Sequence, residues 1–138
     1  MKPVICKVKD NPPVTYGDCL RACVASLLEL ESEDVPHFMI NGNPTEAMTM
    51  MREFLASYRI VPAAFPVSGE LPLDDFFGHM SEFYPDTEYL LFCNCGGEDH
   101  CIICRNEEVI HNPSWINNSI RGPHSTGFWI AIILARLS

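Results

Sequence analysis

The chain has 138 residues, 47% of them hydrophobic and 20% charged, and a net charge of −9. That length carries a real core without metal or disulfide staples and predicts one domain over residues 1–138, while the acidity argues against a protein that wraps nucleic acid or coats an anionic membrane. No basic-then-apolar leader opens the sequence and the apolar run at 128–135 is too short to span a bilayer, so a cytoplasmic protein with no nucleic-acid or membrane partner and no cofactor is expected.

Taken in order, residues 4–8 read as a short edge strand, and Asn11-Pro12-Pro13 then forces an extended or turning path. Gly17 and Asp18 form a turn-and-cap signal, and from Cys19 onward only Arg21, Ser26 and Glu29 interrupt an apolar run. This predicts a central helix buried on most sides. The acidic residues 31–34 and Pro36 end it. Asn43, Pro44 and Glu46 then make a second helix start, with an N-cap, a proline in the first turn and a glutamate set to close a capping box. Residues 60–65 form a short strand. Leu73, Phe76, Phe77, Met80, Phe83 and Tyr84 mark a third helix between Pro72 and Pro85, with His79 on its solvated side.

Beyond Glu88 the period changes. A buried strand at 89–93, a turn at 96–99, a strand at 100–105, a tight turn at Asn106-Glu107, a strand at 109–111 and a last strand at 128–137 follow. Helices first and a meander later predict an α+β fold, its antiparallel sheet lying against the central helix with two further helices.

Cys19 falls in the first turn of the central helix, where unpaired backbone N–H groups and the positive end of the macrodipole favour thiolate over thiol. It is the candidate nucleophile. The competing reading is that Cys19 and Cys23, one helical turn apart, are two small core residues. A thiolate needs a base, and the base needs an orienting group. Pairing around Asn106-Glu107 sets Arg105 toward Glu108 and brings His100 near Asn112 or Pro113, as such a pair requires.

Gly17-Asp18-Cys19-Leu20-Arg21-Ala22-Cys23, followed by His100 and a hairpin ending in His111-Asn112-Pro113, resembles the papain-like cysteine peptidase superfamily, and within it a compact bacterial and phage branch. The resemblance implies a papain-like fold with Cys19 as nucleophile, His100 as general base and acid, and Asn112 as orienting residue. It implies acyl transfer on a peptide, isopeptide or other amide, with a protein or peptide as substrate. Two positions depart from the pattern. Many relatives carry aspartate where Asn112 stands, and a glutamine six residues before the nucleophile, here Pro13, that helps form the oxyanion hole. Asn11 and Thr15 are the candidates to replace that donor. Asp18, Trp115 and His124 are groove candidates, Trp115 as a wall of the site.

Seven cysteines, an odd number, suit metal or catalytic use better than a disulfide framework. One alternative is therefore a small zinc module on Cys93, Cys95, Cys101 and Cys104, against which Cys101 and Cys104 fall on opposite faces of a strand. Another is a papain-like binding protein that has lost turnover. A Cys19/Cys23 redox pair has the wrong spacing. His37 reads as a loop histidine, and Trp129 as core.

Overall fold

The first helix, α1, runs Cys19–Leu28 and buries Leu20, Ala22, Cys23, Val24, Ala25 and Ser26, as the apolar run predicts. It stops at Glu29, which turns left-handed (φ 57°) and sends its N–H back to the Ala25 and Ser26 carbonyls. A short 3-10 turn, Ser32–Asp34, follows. Helix α2, Pro44–Ala56, starts as its sequence predicts: the Asn43 side chain accepts the Glu46 N–H at 3.1 Å with proline in the first turn. The capping box does not close reciprocally, because the Glu46 carboxylate accepts from Asn41 Nδ2 instead.

The computed structural model describes residues 1–115 and 119–137. Strand β1 is Ile60–Ser68, helix α3 Leu73–Phe83, β2 Glu88–Cys95, β3 Glu98–Arg105, β4 Glu108–His111, β5 Ile120–Pro123 and β6 Phe128–Arg136. The six strands form one sheet in the order β1-β6-β2-β3-β4, with β5 also paired to β2. β2 is antiparallel to β3, β5 and β6, and β3 to β4, so the class is α+β with an antiparallel sheet. The expected turn at 96–99 is shorter, Gly96-Gly97 alone, because both glycines take positive φ (64° and 98°) and close the hairpin in two residues.

The chain divides into two compact units, one of Met1–Pro62, Pro113–Trp115 and Leu134–Ser138, the other of Ala63–Asn112 and Ile116–Ile133. In the second, Phe76, Phe77 and Met80 of α3 share a core with Tyr89, Leu91, Cys93, Cys95, Ile102, Cys104, Trp129 and Ala131. Trp129 stacks on Phe76 at 5.7 Å and its indole N–H reaches the Leu71 carbonyl at 2.9 Å. It packs as expected.

Two expectations fail. Residues 4–8 form no strand: their amides are taken by side chains and a single carbonyl rather than a ladder. Val4 N–H bonds Ser26 Oγ at 2.9 Å, Cys6 N–H the Pro113 carbonyl at 2.8 Å, and Lys7 and Val8 N–H both reach Asp18 Oδ1 at 2.9 Å. Asp18 therefore does not cap α1, since its carboxylate is drawn back onto the leader and onto Arg21 Nε and Nη2 at 3.1 and 2.8 Å.

Candidate functional site

In the second unit, His100 and Asn112 meet: His100 Nε2 and Asn112 Oδ1 lie 2.7 Å apart. An amide oxygen can only accept, so Nε2 carries the ring proton and Nδ1 is the basic nitrogen. The simple hairpin does not build this pair. Regular pairing continued from Arg105↔Glu108 and Cys104↔Val109 would set His111 opposite Ile102, on the face that His100 shares by two-residue alternation. Instead the register shifts after Cys104, Ile103 pairs with His111, and Ile110 is the extra residue of a bulge. The bulge turns His111 to the other face and brings Asn112 onto that of His100.

His100 pairs with Cys93 of β2, which places it on the same face as Ile102 and Cys104 and beside the core under α3. Burial pushes its pKa below the ordinary 6.5, and the Asn112 bond and Glu98 pull it partly back. The ring is thus held neutral near pH 7, the state of a general base.

In the first unit, Cys19 is the first residue of α1 and is half-buried. The turn ahead of it is pinned at each residue. The Tyr16 carbonyl accepts from His37 Nε2 at 2.8 Å, the Gly17 N–H reaches Asp10 Oδ1 at 3.0 Å, and Asp18, 1% exposed, makes the four bonds given above. Gly42, at φ +69°, lies flat against the Tyr16 ring, where a Cβ would stand 2.3 Å from ring carbons. His37 is thus more than a loop histidine, and Asp10 joins it as a support of the turn ahead of Cys19. Neither belongs to a sequence pattern, and only contact across 21 and 7 residues reveals them.

Of the two oxyanion candidates, Thr15 has spent both donors, its hydroxyl on the Lys9 carbonyl at 2.7 Å and its N–H on the Asn11 carbonyl at 3.0 Å. The Asn11 side-chain amide is not taken up by these bonds. Trp115 is 58% exposed, its indole N–H donates to the Cys6 carbonyl, and it borders a cleft of about 420 Å³ with Ile5, Lys7 and Ser32. His124 sits in the β5–β6 turn of the second unit, where Nε2 lies 3.4 Å from Asp99 Oδ2 and Nδ1 accepts the Thr126 N–H at 3.2 Å. Ser125 ties the same carboxylate through its N–H, at 2.9 Å, and its hydroxyl. These bonds close the turn onto the start of β3.

The four thiols of the zinc alternative do not converge. Cys93, Cys95 and Cys104 share the core face, whereas Cys101 pairs with Phe92 and lies on the other. Among the described residues no three His, Cys, Asp or Glu are gathered to hold a metal ion. Cys93 and Cys95 Sγ lie 3.6 Å apart as buried thiols. No described helix is long and apolar enough to cross a membrane.

Fold and site together define an α+β protein whose antiparallel sheet carries a bonded histidine–asparagine pair and whose first helix begins at a cysteine. Comparison with protein-family models, with curated proteins and with solved structures finds no match to this chain.

Proposed function

We propose that the protein is a papain-like cysteine hydrolase that transfers an acyl group from a peptide, isopeptide or other amide to water. The observation that carries this reading is the bond from His100 Nε2 to Asn112 Oδ1, which fixes the tautomer a cysteine's base needs and leaves Nδ1 to take the thiol proton. The half-buried Cys19 at a helix start is the matching nucleophile. In this mechanism Nδ1 of His100 takes the Cys19 proton, the sulfur adds to the substrate carbonyl carbon, and the imidazolium returns the proton to the leaving amine. Water, deprotonated by the same nitrogen, then releases the acyl group and restores the thiol. The Cys19 N–H supplies one oxyanion donor and the Asn11 side chain the second. Seven cysteines, none of them in a disulfide, suit a reducing, cytoplasmic setting.

The test is the rate of iodoacetamide labelling at Cys19 against pH, with the other thiols followed by mass spectrometry. Labelling at Cys19 well below the ~8.5 of a free thiol, and lost in His100→Ala, is the expected result. Uniformly slow labelling of the folded wild type would overturn the reading.

A further inference from the structure

The charge of this chain is unevenly held. The second unit contains ten Asp and Glu but only Arg105 and Arg121 as Lys or Arg, a net −8 of the chain's −9. No Lys or Arg occurs between Arg59 and Arg105, a stretch that includes all of α3.

Helix α3 buries Phe76, Phe77 and Met80 and turns Asp75 and Glu82 to solvent. At its end the apolar pattern continues onto the surface, with Phe83 62% and Tyr84 36% exposed. These rings are not loose. Tyr84 stacks on Phe65 at 5.2 Å, and Phe83 meets the His79 ring at 4.9 Å. The β3–β4 turn adds charge from the side: Glu107 Oε1 would lie 3.9 Å from a Cβ at Gly78, and Asp86 and Asn106 exchange two hydrogen bonds of 2.8 and 3.0 Å. Among the described residues, no Lys or Arg forms a salt bridge with Asp75, Glu82, Asp86 or Glu107.

Exposed aromatic faces beside unneutralised carboxylates match one ligand chemistry. A guanidinium or ammonium gains from the ring quadrupole and from the carboxylates together, and a polypeptide bearing several such groups covers the whole patch. We infer that the outer face of α3, from Asp75 to Asp86 with Glu107 beside it, docks an arginine- and lysine-bearing polypeptide segment. The occupant follows from charge complementarity, and the rings supply what dispersed acidity lacks, a fixed place for it to sit. None of the residues assigned to hydrolysis belongs to this surface, and the inference stands whether or not Cys19 is active.

The experiment is a fluorescence-anisotropy titration of the full chain with a labelled short poly-arginine peptide, with amide chemical-shift mapping on the wild type. Glu82→Lys and Phe83→Ser are each expected to weaken binding at least fivefold, with shifts confined to residues 75–86 and 107. Glu53→Lys, an exposed change of equal charge on α2, is the control and is expected to leave binding within twofold. Equal weakening by Glu53→Lys, or no effect of Phe83→Ser, would mean diffuse attraction without a docking surface and would overturn the inference. Both altered α3 side chains are exposed, and the shift mapping locates the bound peptide on unaltered protein, so shifts spread over both units would overturn it as well.

Discussion

His100 holds two opposing influences in one ring, burial that disfavours its charge and an amide oxygen that favours it, and burial prevails. Its ring signals in an NMR titration are therefore expected to move with a midpoint below 6.5. A histidine depressed in this way binds protons more readily when unfolded, so its contribution to stability is complete above pH 6.5 and is lost as pH falls through the folded value. Asn112→Ala removes the stabilising bond and is expected to lower that midpoint further, while Asn112→Asp raises it. Asp18 is the other residue whose loss is felt alone. Asp18→Ala strands the Lys7 and Val8 amides and a mostly buried Arg21, and urea denaturation is expected to show a loss of about 3 kcal/mol, in the range for breaking a buried charged pair.

At the level of elements, the bulge at Ile110 decides which side chain meets His100. Deleting Ile110 removes the extra residue and leaves the partners beyond it unchanged in regular pairing, with His111 opposite Ile103 and Asn112 on the His100 face. The expected outcome is an iodoacetamide reaction at Cys19 within threefold of that of the wild type, in a protein with unchanged far-UV circular dichroism, whereas Asn112→Ala is expected to slow it at least tenfold. Loss of the fold instead would show the bulge to be needed for the sheet itself. The approach of His100 to Asn112 is legible in the sequence, because Asn106-Glu107 fixes the hairpin centre, but the bulge that makes the approach a bond carries no residue signature. Helix α2 is legible because Asn43, Pro44 and Glu46 state its start chemically. Strand β5 is not, since four residues containing glycine and proline have no alternation to read. The leader has the pattern of a strand and is none, because Ser26 and Asp18, far along the chain, take the bonds a ladder would have made.

For the molecule as a whole, the thiols give a simple account of packing. Cys6 and Cys19 are half-buried, and the other five cysteines are buried. Native protein is expected to release two equivalents of thiol rapidly to a disulfide reagent and the remaining five only on unfolding. Rapid release of more than two would contradict the burial described for α1, β2 and β3. Composition hides a second property of the whole. A chain of −9 reads as evenly acidic, and only the division into units shows that nearly all of that charge lies in one of them.

Strand β1 ends one side of the sheet and carries Pro62 and Pro66, four residues apart and so facing the same way along the strand. Pairing with β6 needs the N–H groups on the inner side, which leaves the two ring nitrogens directed outward. An incoming strand from a neighbouring molecule finds gaps in the row of donors it would zip onto, while the opposite margin, β4, is four residues long and begins with Glu108. The protein is thereby guarded against growing edge to edge into fibrils at high concentration, and replacing both prolines with threonine would open that route.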